Sequence, residues 1–364
     1  MKKIPIANPY IEKSDAEEVR KTITKGWITM GKKTEIFESM LSEYLNVKYV
    51  VAMNNGTSTL DAILSALNIK QNDEIIVPDM TYISTANVAE YKKAKLILVD
   101  CDKSTYNISV KDLIKKISNK TKLIMVTDMK GMPVDYKEII KISKKNKIPL
   151  IADSAESLGS SYNNVKIGSQ TLAHSFSFFA NKNITTAEGG AVVTNSIKIY
   201  KKLICIRNQG QKGRYNHVML GNNYRMNDIL ATLGIQQFKK IDKIINYKNK
   251  IAKIYNSKLQ NVVMVPHLPE YVTRHSWYNY TIRVPKKLRN RLINFLSKNG
   301  IETRISFPPI HTQPYYKKKL SKSNFPNSID AYNTMIDLPI WYKMPMKDVN
   351  FICNKVINFL DKNR

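Results

Sequence analysis

The chain has 364 residues, 43% of them hydrophobic, which at about 150 residues per domain suggests two domains with ample material for a large core. Charged residues make up 24% and no apolar run approaches the roughly 20 residues needed to cross a bilayer, so disordered, collagen-like and membrane-spanning classes are excluded. The net charge of +29 points toward anionic ligands, but with only ten arginines among 58 basic residues and no binding motif a nucleic-acid reader is not expected; most of the lysine excess reads as a solvated surface.

The opening MKKIPIANPYIEKSD has a basic pair but no apolar stretch suited to a signal peptide, because Asn8, Pro9 and Tyr10 interrupt it, and a cytoplasmic location is expected. From Tyr49 to Asn195 the runs YVVAM, EIIVP, LILVD, KLIMVTD, IPLIAD, HSFSFF and AVVTN alternate with helical patterns, which predicts an α/β sheet. Leu60, Ile63, Leu64 and Leu67, then Tyr136, Ile139 and Ile140, recur at helical spacing and place helices over that sheet. Beyond Gln236 the texture changes to a Lys-rich helix predicted from Phe238 to Leu259, with Ile241, Ile244, Ile245 and Ile251 on one face. The predicted division is therefore a large domain over 1–235 and a smaller one over 236–364. The latter continues with the strand-like YNYTIRV, a helix RNRLINFLSKNG stopped by Gly300, and the Pro-punctuated loop FPPIHTQP. Cys101, Cys205 and Cys353 are far apart without a CxxC pair and read as spectator thiols; none of the five histidines makes a metal pattern.

Three features carry chemistry. NNGTSTL follows a strand and opens a helix, so the amides of Gly56 and Thr57 face the positive end of its dipole, where a phosphate or an ordinary N-cap would sit. Asp153 ends the run IPLIAD, and α/β folds bind ligands outside the carboxyl ends of strands. Lys182 lies between an apolar run and a Thr/Gly-rich turn; in the company of Phe178, Phe179 and Ile184 its charged form would be disfavoured, as Schiff-base chemistry needs.

A phosphate cradle, an acid after a strand and such a lysine are the parts of a pyridoxal phosphate site. With PIANPYIEKSDAEEV, GWIT, NNGTSTL, DEIIVPDMTYISTANV, DSAESLGS, SFSFFANKNITTAEGG, GNNYRMND and GIETRISFPPIHTQP in that order, the chain resembles the DegT/DnrJ/EryC1/StrS family of sugar aminotransferases over essentially its whole length. Within that family it is similar to the perosamine synthase group. The resemblance implies the fold type I aminotransferase architecture, a large, mixed, mostly parallel sheet domain with a smaller C-terminal α/β domain, assembled as a homodimer with shared sites. It implies that Lys182 links to the cofactor and then moves protons, and that Asp153 pairs with the pyridinium nitrogen. Tyr82 would stack on the ring, although a core tyrosine is an equal reading of its sequence setting. Gly56, Thr57 and Ser177 would hold the phosphate, with Asn223 reaching it from the neighbouring subunit. Glu156 falls where many members carry Gln facing the phenolic oxygen, and Ala187 replaces a usual Gly. His311, Arg225 and Arg304 lie in segments resembling the substrate side, with structural roles as the alternative. Relatives with His in place of Lys182 dehydrate C3, so the lysine implies transamination. The implied reaction moves the amino group of L-glutamate to C4 of a nucleotide-linked 4-keto-6-deoxyhexose for polysaccharide biosynthesis, with GDP the favoured nucleotide. A UDP- or dTDP-linked sugar, amination at C3, and a non-catalytic regulator are the alternatives.

Overall fold

Continuous apolar runs bounded by polar turns form strands buried on both faces, as parallel sheets require. The computed structural model describes residues 3–320 and 324–363. In chain order its first strands are β1 (Tyr49–Met53), β2 (Glu74–Pro78), β3 (Lys95–Val99), β4 (Thr121–Thr127) and β5 (Leu150–Asp153). The short pair β6 (Ser161–Tyr162) and β7 (Val165–Lys166) follows, then β8 (His174–Ser177) and β9 (Gly190–Thr194). Seven of them make one sheet in the order β1-β9-β8-β5-β4-β2-β3, and only β9 runs against its neighbours.

Alternation along each strand sorts side chains to two cores. Ile76, Ile124 and Val126 face Phe37, Leu41 and Ile139 on one side; Ile75, Val77, Leu123 and Met125 face Leu60, Ile63 and Leu64 on the other. The helices Lys32–Leu45 and Tyr136–Asn146 cover the first side, and Gly56–Ala66 covers the second.

A third core belongs to the C-terminal part, around β11 (Tyr280–Arg283) paired antiparallel with β12 (Met335–Leu338) and the helices Ile241–Leu259, Lys286–Lys298 and Met346–Asp361. β10 (Val272–Arg274) instead pairs with β6, tying the two parts together. The helix read as continuous from Phe238 is broken: one helix ends at Phe238, and the next begins at Ile241 after a turn at Lys239 and Lys240. Its first half, with Ile241, Ile244 and Ile245, packs into the large core, whereas Ile251, Tyr255 and Leu259 enter the third. The N-terminal segment also crosses over, since Ile4 bridges to Ile301 and joins the third core. Gly300, at φ 76°, terminates the helix Lys286–Lys298 in the left-handed conformation that a glycine stop predicts. No helix among the described residues is long and apolar enough to cross a membrane.

Candidate active site

Strands β1, β2, β4, β5 and β8 point their carboxyl ends at one cavity of about 480 Å³, a volume suited to a small-molecule ligand. Its wall is completed by Tyr278, Arg304 and Phe307 from the C-terminal part. At the end of β1, Asn55 caps the helix Gly56–Ala66 by accepting from the Ser58 amide at 2.8 Å. The amides of Gly56 and Thr57 are left without a partner among the described residues. A Cβ on Gly56 would stand 3.0 Å from that of Ser177, so the absence of a side chain keeps this helix end open beside the serine hydroxyl. Gly190 on β9 is fixed by the same turn, because a Cβ there would come within 2.8 Å of the Asn55 carbonyl.

Across the cavity Asp153 is buried at the tip of β5. Its carboxylate accepts from the Thr85 hydroxyl at 2.7 Å and from the Ala155 amide at 3.2 Å. Among the described residues no cation lies within ion-pair distance, and burial raises its pKa, opposed by those two hydrogen bonds and more weakly by Lys182. A buried carboxylate facing a cavity without a counter-ion, opposite free amides at a helix N-terminus, fits a ligand with a protonated ring nitrogen at one end and a phosphate at the other. Pyridoxal phosphate has that shape and charge.

Between these poles stands Lys182, its side chain 13% exposed. Its Nζ lies 3.7 Å from Glu156 Oε1 and 4.2 Å from the centre of the Tyr278 ring. The apolar company expected from the sequence is only partly there: Phe178 turns into the core against Phe37, and Phe179 lies half-exposed in the cavity wall. Tyr82, 54% exposed, also lines the cavity, with Phe307 edge-on at 5.2 Å. The turn after the lysine holds Ala187 at φ 65°. That conformation costs an L-residue about 1–2 kcal/mol, part of which glycine's looser unfolded chain would give back. Ala187→Gly is therefore expected to stabilise the chain by about 0.5–1 kcal/mol, read as a higher urea midpoint at unchanged slope.

Other candidates are placed elsewhere. Arg304 lines the cavity, but His311 does not: its backbone amide and Nδ1 both meet the carboxylate of buried Asp79, at 3.0 and 2.8 Å. Arg225 donates to Asn208, and Asn223 lies exposed on a segment bridged to that same residue; neither lines the cavity of its own chain.

Two lysines escaped the sequence reading. Lys130, at φ 61° after β4, donates its amide to Glu156 Oε2 at 2.6 Å and its ammonium to Asp337 on β12 at 2.8 Å. Asp337 is wholly buried and also meets Arg304 at 3.4 Å, so one residue of the large domain holds a carboxylate beside Lys182 and braces an arginine of the C-terminal part. Lys248 is buried on the helix Ile241–Leu259 with neutral partners, Asn183 Oδ1 at 2.7 Å and the Tyr278 carbonyl at 3.5 Å. The signal was available: Lys248 is four residues after Ile244 and three before Ile251, on the apolar face.

Burial, helped by the charge of Arg304, pushes the Lys248 pKa from 10.5 down to about 7. The folded state then binds fewer protons than the unfolded chain between about pH 7 and 10.5, so stability from this group rises with pH across that window and is lost as pH falls through about 7. Lys248→Met is expected to raise the melting temperature most below pH 7 and progressively less toward pH 10, measured by thermal scans of both proteins across that range.

Comparison with known proteins adds a second line of observation. The model of the DegT/DnrJ/EryC1/StrS aminotransferase family matches residues 9–357. The chain is 35% identical to a GDP-perosamine synthase of Vibrio cholerae over 98% of this chain and 99% of that protein. It is 32% identical to a UDP-4-amino-4,6-dideoxy-N-acetyl-beta-L-altrosamine transaminase of Campylobacter jejuni, covering 99% and 98%. Among solved structures, the Streptococcus pneumoniae protein Spr1654 in its PLP-form superposes with a TM-score of 0.93 at 29% identity, covering 99% of each chain.

Proposed function

The chain belongs to the DegT/DnrJ/EryC1/StrS aminotransferase family and is a PLP-dependent sugar aminotransferase, and from that premise we propose that it moves the amino group of L-glutamate to C4 of a GDP-linked 4-keto-6-deoxyhexose. The product is a 4-amino-4,6-dideoxy sugar nucleotide for polysaccharide biosynthesis, made in the cytoplasm. The observation that carries the reading is the meeting in one cavity of Lys182, the open helix end at Gly56, and Asp153, which has no counter-ion among the described residues.

Pyridoxal phosphate, when bound, supplies an electron sink that lets an amino group pass from a donor carbon to an acceptor carbonyl. The chain's residues do the rest. Gly56 and Thr57 present amides, and Ser177 a hydroxyl, to the phosphate. Asp153 keeps a proton on the ring nitrogen, where its burial makes a cationic partner especially favourable. Tyr82 covers one face of the ring. Lys182 would anchor the cofactor and then move a proton at the substrate carbon, off the donor's α-carbon in one half of the reaction and onto C4 of the sugar in the other. Glu156, held by the Lys130 amide, stands at hand for the ring oxygen.

Incubating the loaded enzyme with glutamate and GDP-, UDP- or dTDP-linked 4-keto-6-deoxyhexoses, with mass analysis of the products, tests the assignment; amination confined to a UDP- or dTDP-linked sugar would replace the GDP reading.

The active unit in this reading is a homodimer in which Asn223 serves the partner's phosphate site. Its support is the exposed position of Asn223 just after Leu220, 93% exposed, and Val218, 53% exposed, an apolar surface that a second copy would cover. Mixing Asn223→Ala chains with Lys182→Ala chains is expected to restore one intact site in each heterodimer, about half of the wild-type rate per heterodimer. No recovery after demonstrated subunit exchange would place Asn223 in its own chain's site.

A further inference from the structure

Behind Lys182 lies a second, smaller cavity of about 30 Å³, walled by the N-terminal segment, the helix Ile241–Leu259 and the C-terminal part. It shares Asn181, Lys182, Tyr278 and Arg304 with the large one. Three cations line it, Lys182, Lys248 and Arg304, and among the described residues of its wall there is no aspartate or glutamate. Arg304 is braced from behind by Asp337 through Nε, and its other fork nitrogen donates to Asn279. Lys248 has no carboxylate within ion-pair distance among the described residues; its ammonium spends one hydrogen on Asn183, one on a carbonyl at the limit of reach, and keeps the third. A buried ammonium without a counter-ion is expensive, and an anion arriving in this cavity would remove that expense.

We propose that this cavity is the subsite for a carboxylate of the amino donor, held between the Lys248 ammonium and the Arg304 guanidinium. The inference rests on the aminotransferase reading and adds to it the group by which the donor is recognised. Size selects the ligand: the space exceeds that of one water and is far too small for a sugar or a diphosphate, while a planar carboxylate fills it with two oxygens, one for each cation. Position agrees, since the cavity adjoins the lysine at which the donor's amino group must arrive. The Nδ2 of Asn181, whose Oδ1 is taken by the Tyr278 hydroxyl, carries no other bond among the described residues and offers a further donor from the shared wall.

The test measures binding directly. Glutarate, and its uncharged diamide glutaramide, are titrated by calorimetry into the cofactor-loaded wild type and Lys248→Met. The expected result is glutarate binding weakened about tenfold in the variant with glutaramide unchanged. Equal glutarate affinity in the two proteins, or an equal loss for both probes, would overturn the proposal. If Lys248→Met does not fold, Lys248→Gln, which keeps a donor to Asn183 without the charge, takes its place under the same criteria. The change in cofactor absorbance on mixing with single amino acids then identifies which carboxylate is held. Slowing of L-alanine and L-glutamate alike assigns the α-carboxylate, slowing of L-glutamate alone assigns the side-chain carboxylate, and no slowing of either overturns the subsite. These readouts involve no sugar, so failure of the proposed GDP-sugar acceptor leaves them standing.

Discussion

Replacing Lys182 by alanine is expected to lower turnover by at least about 10⁴-fold, the upper range for a positioned acid–base group, because the variant loses the proton carrier as well as the covalent anchor. The fold should survive, since Lys182 reaches out of the turn into the cavity and its backbone contact, the amide to the Phe179 carbonyl at 2.9 Å, does not depend on the side chain. Cofactor should still bind without a covalent link, held by the open helix end, Ser177, Asp153 and Tyr82. Borohydride reduction followed by peptide mapping should therefore mark the peptide containing Lys182 in the wild type and none in the variant. Attachment at another lysine, Lys248 included, or transamination persisting in Lys182→Ala, would refute the assignment.

Asp153→Asn is expected to cost about 3 kcal/mol in the activation barrier, roughly a hundredfold in rate. The amide keeps the size of the side chain and can still accept from Thr85, whose hydroxyl lies 2.7 Å from the carboxylate, so the effect isolates charge. Burial raises the pKa of this carboxylate, a ring cation facing it would favour the anion, and the neutral amide supplies none of that field. Near-normal turnover in this variant would remove Asp153 from the site. A loss of folding, seen as a collapsed melting transition, would instead assign it a structural role.

The sheet and the lysine-centred site were legible because each rests on a local pattern. Runs such as EIIVP and KLIMVTD have a composition that suits only strands buried on both faces, and Lys182 stood out because its neighbours were not those of a solvated lysine. Strand order was not legible: β9 inserts antiparallel between β1 and β8, a pairing that no periodicity announces and that the close approach at Gly190 accommodates. Lys130 was hidden among the lysines, since its burial is decided by Asp337, a partner distant in sequence, whereas Lys248 is marked only by its place on the apolar face of its helix. His311, in a segment that resembles the substrate side, also has a partner remote in sequence, since its Nδ1 meets Asp79.

The tie from Lys130 to Asp337 bears on how such enzymes can be recombined. A chimera that grafts the C-terminal part of a relative onto this sheet domain would have to bring an acid to the position of Asp337, or else strand the Lys130 ammonium, which is only 5% exposed. The reverse graft would take one cation from Asp337 but leave it Arg304 and the Thr281 hydroxyl, both from its own part of the chain. A grafted C-terminal part that lacks the acid is therefore expected to destabilise the chimera unless position 130 changes with it.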